Sequence, residues 1–147
     1  TILVQGEEAN GLLLERFRRD GNSVLIGSAS FWEGVDVPGE ALRLVIIDRL
    51  PFASPADPVM KSRRQHAEQQ GLSAFQVIDL PPAAVALQQA FGRLLRRESD
   101  SGMVMLGDTR ILSRGYGRIL LRSLPPMPLV TAAEEALSFM RECRARS

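Results

Sequence analysis

Gln89, Arg93 and Arg96 stand at i, i+4 and i+7. On a helix advancing about 100° per residue, that spacing sets one amide and two guanidiniums in a row. Ala84, Leu87, Phe91 and Leu94 gather on the opposite face. Gly92 borders the polar row, where glycine costs ~1 kcal/mol against alanine; it suits a helix that a backbone or a ligand approaches closely. An arginine fork gives paired hydrogen bonds to a phosphate and keeps its charge near neutral pH. Such a row can grip the distal phosphates of a nucleotide or a strand of nucleic acid; the bland alternative is a solvated, arginine-rich helix side.

Residues 28–39 (Ser-Ala-Ser-Phe-Trp-Glu-Gly-Val-Asp-Val-Pro-Gly) are the second candidate, mixing hydroxyls, two aromatics and two carboxylates about a glycine. Glu33 and Asp36 lie three apart, and a glycosidase pair needs a geometry that spacing does not supply. A ribose hydroxyl or a metal-bound water suits isolated loop carboxylates better. Phe31 and Trp32 either stack on bases or pack into the core. Other chemistries lack their residues. The sole lysine, Lys61, has no glycine-rich phosphate loop before it, and no strand ends in a paired Asp-Glu for magnesium. His66, the one histidine, sits in a polar run and reads as surface, and no Ser-His-Asp or Cys-His set can be drawn. A single cysteine, Cys143, excludes disulfides within the chain and a self-contained Cys-ligated metal site. No metal site is expected.

These residues need elements to position them, and the chain reads as short apolar runs alternating with helices. Strands are expected at 2–5, 23–27, 44–48 and 102–106, and helices at 7–20, 59–70, 82 to about 97, 115–123 and 131–144. Residues 28–39 and 51–58 are expected as loops, and Pro125-Pro126-Met127-Pro128 as a turn between packed helices. Runs that are apolar throughout are those buried on both faces. Interleaved with helices they imply crossovers and a parallel sheet, whose ligands bind in loops beyond the carboxyl ends of the strands. The places to search are then 6–8, 28–39, 48–58 and 108–113.

The 147 residues, 45% hydrophobic and 24% charged, suit one globular domain and exclude collagen-like, coiled-coil and disordered classes. No apolar run is long enough to span a bilayer as a helix. Thr1 is not an initiator Met and no signal peptide follows, which suggests a piece of a longer, cytoplasmic protein. The net charge is only +1, yet 17 of the 18 basic residues are Arg, and seven arginines fall between positions 93 and 122 against three acids. Arginine codons in a GC-rich genome account for the bias blandly; a local basic excess also suits a polyanion.

In order along the chain, these segments resemble the second motor domain of superfamily 2 helicases of the XPD/DinG-like branch. Gln89-Ala90-Phe91-Gly92-Arg93-Leu94-Leu95-Arg96 matches the Gln-x-x-Gly-Arg-x-x-Arg motif VI. Residues 30–39 resemble motif V, Ser-x-x-Glu-Gly-x-Asp. Val45-Ile46-Ile47-Asp48-Arg49-Leu50-Pro51-Phe52, Asp100-Ser101-Gly102, Leu106-Gly107-Asp108-Thr109-Arg110, Gly115-Tyr116-Gly117 and Leu124-Pro125 resemble the family's remaining segments. The resemblance implies an α/β, RecA-like parallel sheet with helices on both faces and no P-loop, over residues 1–147. It implies Arg96 as arginine finger, Arg93 as a second guanidinium on the γ-phosphate, and Gln89 and Gly92 beside that phosphate. Glu33, Gly34 and Asp36 are implied at the inter-domain cleft.

ATP and Mg²⁺ would be bound mainly by a first motor domain, which in the family also carries an iron–sulfur cluster absent here. Single-stranded DNA and that first domain are the implied partners, with no membrane and no oligomer. The implied function is 5′ to 3′ DNA unwinding driven by ATP, in repair or replication, the isolated chain being inactive. The alternatives are a non-catalytic nucleic-acid-binding module and part of a DinG-like nuclease. Residues upstream separate the three: a P-loop with four cysteines, a start codon, or an acidic exonuclease pattern.

Overall fold

A computed structural model describes residues 1–34, 37, 41–95 and 100–145. Strands β1 (Ile2–Val4) and β2 (Val24–Ile26) pair in parallel, with Ile2 opposite Val24 and Val4 opposite Ile26. The ladder continues at both ends, Val24 N–H donating to the Thr1 carbonyl and Gln5 N–H to that of Ile26, each at 2.9 Å. Helix α1 (Asn10–Asp20) joins the strands and packs on both. Leu13 and Phe17, one turn apart, are its buried residues, while Leu12 is exposed. It lies about 100° around the helix from Leu13, off the stripe that meets the strands. The helix starts three residues later than the pattern suggests, because Gly6 (φ 98°) turns the chain and Glu7 N–H bonds the Val4 carbonyl. It stops at Gly21, whose φ of 65° favours glycine.

The chain divides into two compact units. One comprises Thr1–Val45, Gly92–Met103 and Thr131–Ser147, the other Ile46–Phe91 and Val104–Val130. In the first, the expected loop after β2 holds a helical turn, α2 (Ala29–Glu33). Ser28 positions it: its N–H and hydroxyl both donate to Gln5 Oε1, at 2.8 and 2.9 Å. Its Oγ also accepts from Phe31 N–H at 3.4 Å. Phe31 is buried, and a Cβ on Gly27 would stand 2.7 Å from its ring. The ring therefore packs in the core rather than waiting for a base. Helix α7 (Ala133–Ala145) closes this part of the sequence, with Cys143 buried as a small apolar side chain.

Strands β3 (Leu44–Ile47) and β4 (Met103–Leu106) form a second pair. Met103 N–H donates to the Arg43 carbonyl and Gly107 N–H to that of Ile47. Both strands advance four residues between these bonds, so the pair is parallel. Helix α3 (Pro58–Gln69) follows β3, capped by Asp57, whose carboxylate accepts from Val59 and Met60 N–H. A π-helical turn, Phe75–Asp79, runs into α4 (Leu80–Leu94). The helix thus begins before Pro82, with Pro81 and Pro82 in its first turn; neither has an N–H to donate, and the wider turn precedes them. Arg64 anchors that turn through a bidentate pair with Asp79, at 2.7–3.1 Å.

Short helices α5 (Arg110–Ser113) and α6 (Gly115–Ser123) follow β4. The core of the second unit is Leu80, Ala83, Leu87 and Phe91 of α4 packed with Leu50, Ile111, Leu120 and Leu124. The fold is thus α/β with short parallel strands, but the sheets are small. Instead of strands buried on both faces, Ile2, Val24 and Ile26 of one pair and Ile46 and Met105 of the other are exposed.

Candidate functional site

The face that α4 turns away from its core carries the first candidate residues. Ala83, Leu87, Phe91 and Leu94 are buried, with Ala84 only partly so, one position from where spacing set the stripe. Gln89 and Gly92 are exposed and Arg93 is half-buried, on the last two turns of the helix. A Cβ on Gly92 would meet nothing within 4 Å, so no packing within the chain requires the glycine. It leaves α4 backbone uncovered in the turn that also carries Gln89 and Arg93 in the sequence. Arg96 lies outside the described residues.

Glu33 ends α2, and Gly34 follows in an exposed turn, its N–H donating to the Phe31 carbonyl at 3.3 Å. Both belong to the same compact unit as Gly92 and Arg93. Asp36 lies outside the described residues. His66 is exposed on α3, where its Nε2 lies 3.1 Å from Gln70 Nε2.

A cluster to which spacing assigned no role ties two of the expected ligand loops together. Asp108, just past β4, accepts from Leu50 N–H at 2.9 Å and from Arg110 Nε and Nη2 at 2.9 and 2.6 Å. Its side chain is only 8% exposed. The Arg110 fork, then the Leu50 N–H, hold this carboxyl well below the usual carboxylate range and so keep it ionised. The Arg110 guanidinium lies 5.8 Å from the Phe52 ring centre, and Phe52 meets Tyr116 edge-on at 5.5 Å and Phe75 at 5.5 Å. These contacts fix the segments after β3 and β4 at the carboxyl ends of neighbouring parallel strands, where such sheets bind ligands. The Asp-x-Arg spacing was visible in the sequence; its partner Leu50, 58 residues away, was not.

The donor set decides what these residues can hold. Gln89 and Arg93 offer hydrogen-bond donors, which suit phosphate oxygens rather than a metal ion. Asp108 is engaged by Leu50 and Arg110, and among the described residues no group of three or more His, Cys, Asp or Glu could hold a metal. The lone, buried Cys143 does not fit a four-cysteine cluster. Among the described residues no helix is long and apolar enough to cross a membrane.

Comparison with known proteins bears on the same residues. Residues 1–127 match the family described as the helicase C-terminal domain. The chain is 44% identical over 139 residues to the ATP-dependent DNA helicase YoaA of Escherichia coli, covering 95% of the chain and 22% of that protein. It is 40% identical over 140 residues to the ATP-dependent helicase DinG of Mycobacterium tuberculosis, covering 95% of the chain and 21% of the relative. The 3'-5' exonuclease DinG of Bacillus subtilis is 42% identical over 126 residues, covering 84% of the chain and 14% of the relative. The chain thus spans about a fifth of the length of the first two relatives.

Proposed function

Because the chain belongs to the family of helicase C-terminal domains, we propose that it is the second, RecA-like motor domain of an ATP-dependent DNA helicase. In that role residues 1–147 form one part of a longer polypeptide. Its strands assemble into a parallel sheet with helices on both faces, and it supplies the half of an ATP site that reaches across a cleft. The observation that supports this role is the run of motif residues on the last two turns of α4, with Gln89 and Gly92 exposed and Arg93 half-buried.

The chemistry follows from charge. As the γ-phosphoryl group transfers, negative charge spreads over its oxygens, and fixed guanidiniums stabilise that charge without reorganising. Arg96 is the arginine finger, and Arg93 the second guanidinium on the γ-phosphate. Gln89 orients groups around that phosphate. Glu33, Gly34 and Asp36 face the inter-domain cleft and relay whether nucleotide is bound. This chain has neither the P-loop nor the carboxylate pair of an ATP cradle, so another domain provides the phosphate loop and the Mg²⁺ site. The iron–sulfur cluster likewise belongs outside this chain. Single-stranded DNA is the track, translocation runs 5′ to 3′, and the setting is cytoplasmic DNA repair or replication by a monomer.

The test is Arg93→Ala in the full-length protein. Turnover of ATP on single-stranded DNA should fall by about two orders of magnitude or more, while DNA affinity without nucleotide is retained. Unchanged turnover would remove Arg93 from the ATP site. One observation favours a nuclease instead: a relative is named a 3'-5' exonuclease. In that case the full-length protein degrades labelled oligonucleotides without ATP, and Arg93→Ala leaves that rate unchanged.

A further inference from the structure

Two arginines of the second unit hold carboxylates: Arg64 grips Asp79 and Arg110 grips Asp108. Arg114, Arg118 and Arg122 are different. They stand four residues apart, the first capping α6 and the others on it, and all three are exposed. Among the described residues none of the three guanidiniums has a hydrogen-bonding, ionic or ring partner. Within α6 the four-residue step from Arg118 to Arg122 turns about 40° and rises about 6 Å, on the order of the spacing of successive phosphates in an extended strand. Arg114 stands on the extended residue that enters the helix, one such step before Arg118 in the sequence.

The helix beneath is held firmly. Gly117 and Leu120 are buried, and α5 packs on α6 so closely that a Cβ on Gly117 would overlap the Ile111 carbonyl. Gln88 Nε2 of α4 donates to the Ser123 carbonyl at 2.6 Å at the other end. No Asp or Glu occurs anywhere in residues 109–133, so nothing nearby in the sequence neutralises the stripe. At its start, Gly115 leaves open space around the first turn of α6, whose N–H groups add positive potential beside Arg114.

We propose that Arg114, Arg118 and Arg122 are a phosphate rail that takes three successive phosphates of a single nucleic-acid strand. The choice of a nucleic-acid strand over another polyanion rests on the helicase role proposed above. The stripe itself rests on exposure, spacing and the absence of partners. A rail of this kind contacts backbone alone, so it is indifferent to sequence and strongly weakened by salt.

The experiment uses the 147-residue chain and a fluorescent oligodeoxythymidylate, with binding read by anisotropy over a range of salt concentrations. One variant combines Arg114→Gln, Arg118→Gln and Arg122→Gln. A second combines Lys61→Gln, Arg63→Gln and Arg141→Gln, removing the same charge from exposed sites elsewhere. Glutamine is a good helix former, and circular dichroism of each variant checks that the fold persists. The rail variant should lose about two units of slope in log K against log salt, from roughly 0.7 per single-strand phosphate. The control should keep most of the slope.

Equal losses in both variants would mean diffuse attraction and would overturn the rail. An unchanged slope in the rail variant would overturn it too, leaving the ATP-site role standing, since that role is read from turnover in Arg93→Ala. If polyglutamate of matched charge competes as well as unlabelled oligonucleotide, the stripe is a dock for acidic protein and the proposal fails. No salt-dependent DNA binding by the unaltered chain would overturn the rail together with its DNA track.

Discussion

Asp108 shows how much one carboxylate can organise. It holds a backbone N–H of one loop and the fork of Arg110, which in turn lies over Phe52. Replacing it with Asn keeps the size but loses the charge, and should cost about 1–3 kcal/mol at neutral pH in urea unfolding. The pH dependence has a definite sign. Because the folded carboxyl titrates below its unfolded value, its stabilisation is complete above about pH 4, the ordinary carboxylate range. It is lost as pH falls through the folded value. Asp108→Asn should therefore flatten part of the acid limb of stability; an acid limb identical to that of the unaltered chain would show that the Arg110 pair contributes nothing.

Glycines give a sharper contrast at this scale. Gly117→Ala would drive a methyl into the Ile111 carbonyl, and should destabilise by about 1–3 kcal/mol or more. Gly115→Ala, two residues earlier, meets open space and should be neutral or stabilising by up to about 1 kcal/mol. Thermal melts that rank the two variants equally would contradict the close packing of α5 on α6.

At the scale of elements, what was legible is what is periodic. The α6 boundaries, 115–123, coincide with those expected, and Leu87, Phe91 and Leu94 of α4 are buried as spacing implies, with Ala83 in place of Ala84. Local bonds that periodicity does not carry moved the other boundaries. Gly6 turned the chain before α1, Ser28 and Gln5 stabilised a helical turn in an expected loop, and the π-turn began α4 early. The aromatic group of Phe52, Phe75 and Tyr116 joins three segments far apart in sequence, with ring centres 5.0–5.5 Å apart. Composition alone has no signal for such a meeting. The arginine stripe on α6 was countable in the sequence as local basic excess. Its distinction from Arg64 and Arg110 required seeing which guanidiniums already had carboxylates.

For the whole molecule, the α/β class and parallel pairing were readable from apolar runs between helices. How strands assemble was not, because pairing between residues as far apart as Arg43 and Met103 depends on packing rather than on local pattern. Full burial of the strands was the expectation that failed: each pair leaves one row of apolar side chains exposed. Of the candidate site, Gln89, Gly92 and Arg93 lie on the last two turns of α4, the first two exposed and Arg93 half-buried, whereas Asp36 and Arg96 lie outside the described residues. The role proposed for this chain turns on Arg96.

The most direct test compares Arg96→Ala with Arg97→Ala in the full-length protein, by steady-state ATP hydrolysis on single-stranded DNA. An arginine finger contributes roughly 10³–10⁵ in rate, so Arg96→Ala should lower turnover by at least about three orders of magnitude. Arg96→Lys should restore little, since a point charge does not reproduce the planar fork. Arg97→Ala, the adjacent charge outside the motif, should keep most activity. Equal turnover in Arg96→Ala and Arg97→Ala would contradict the ATP-site role.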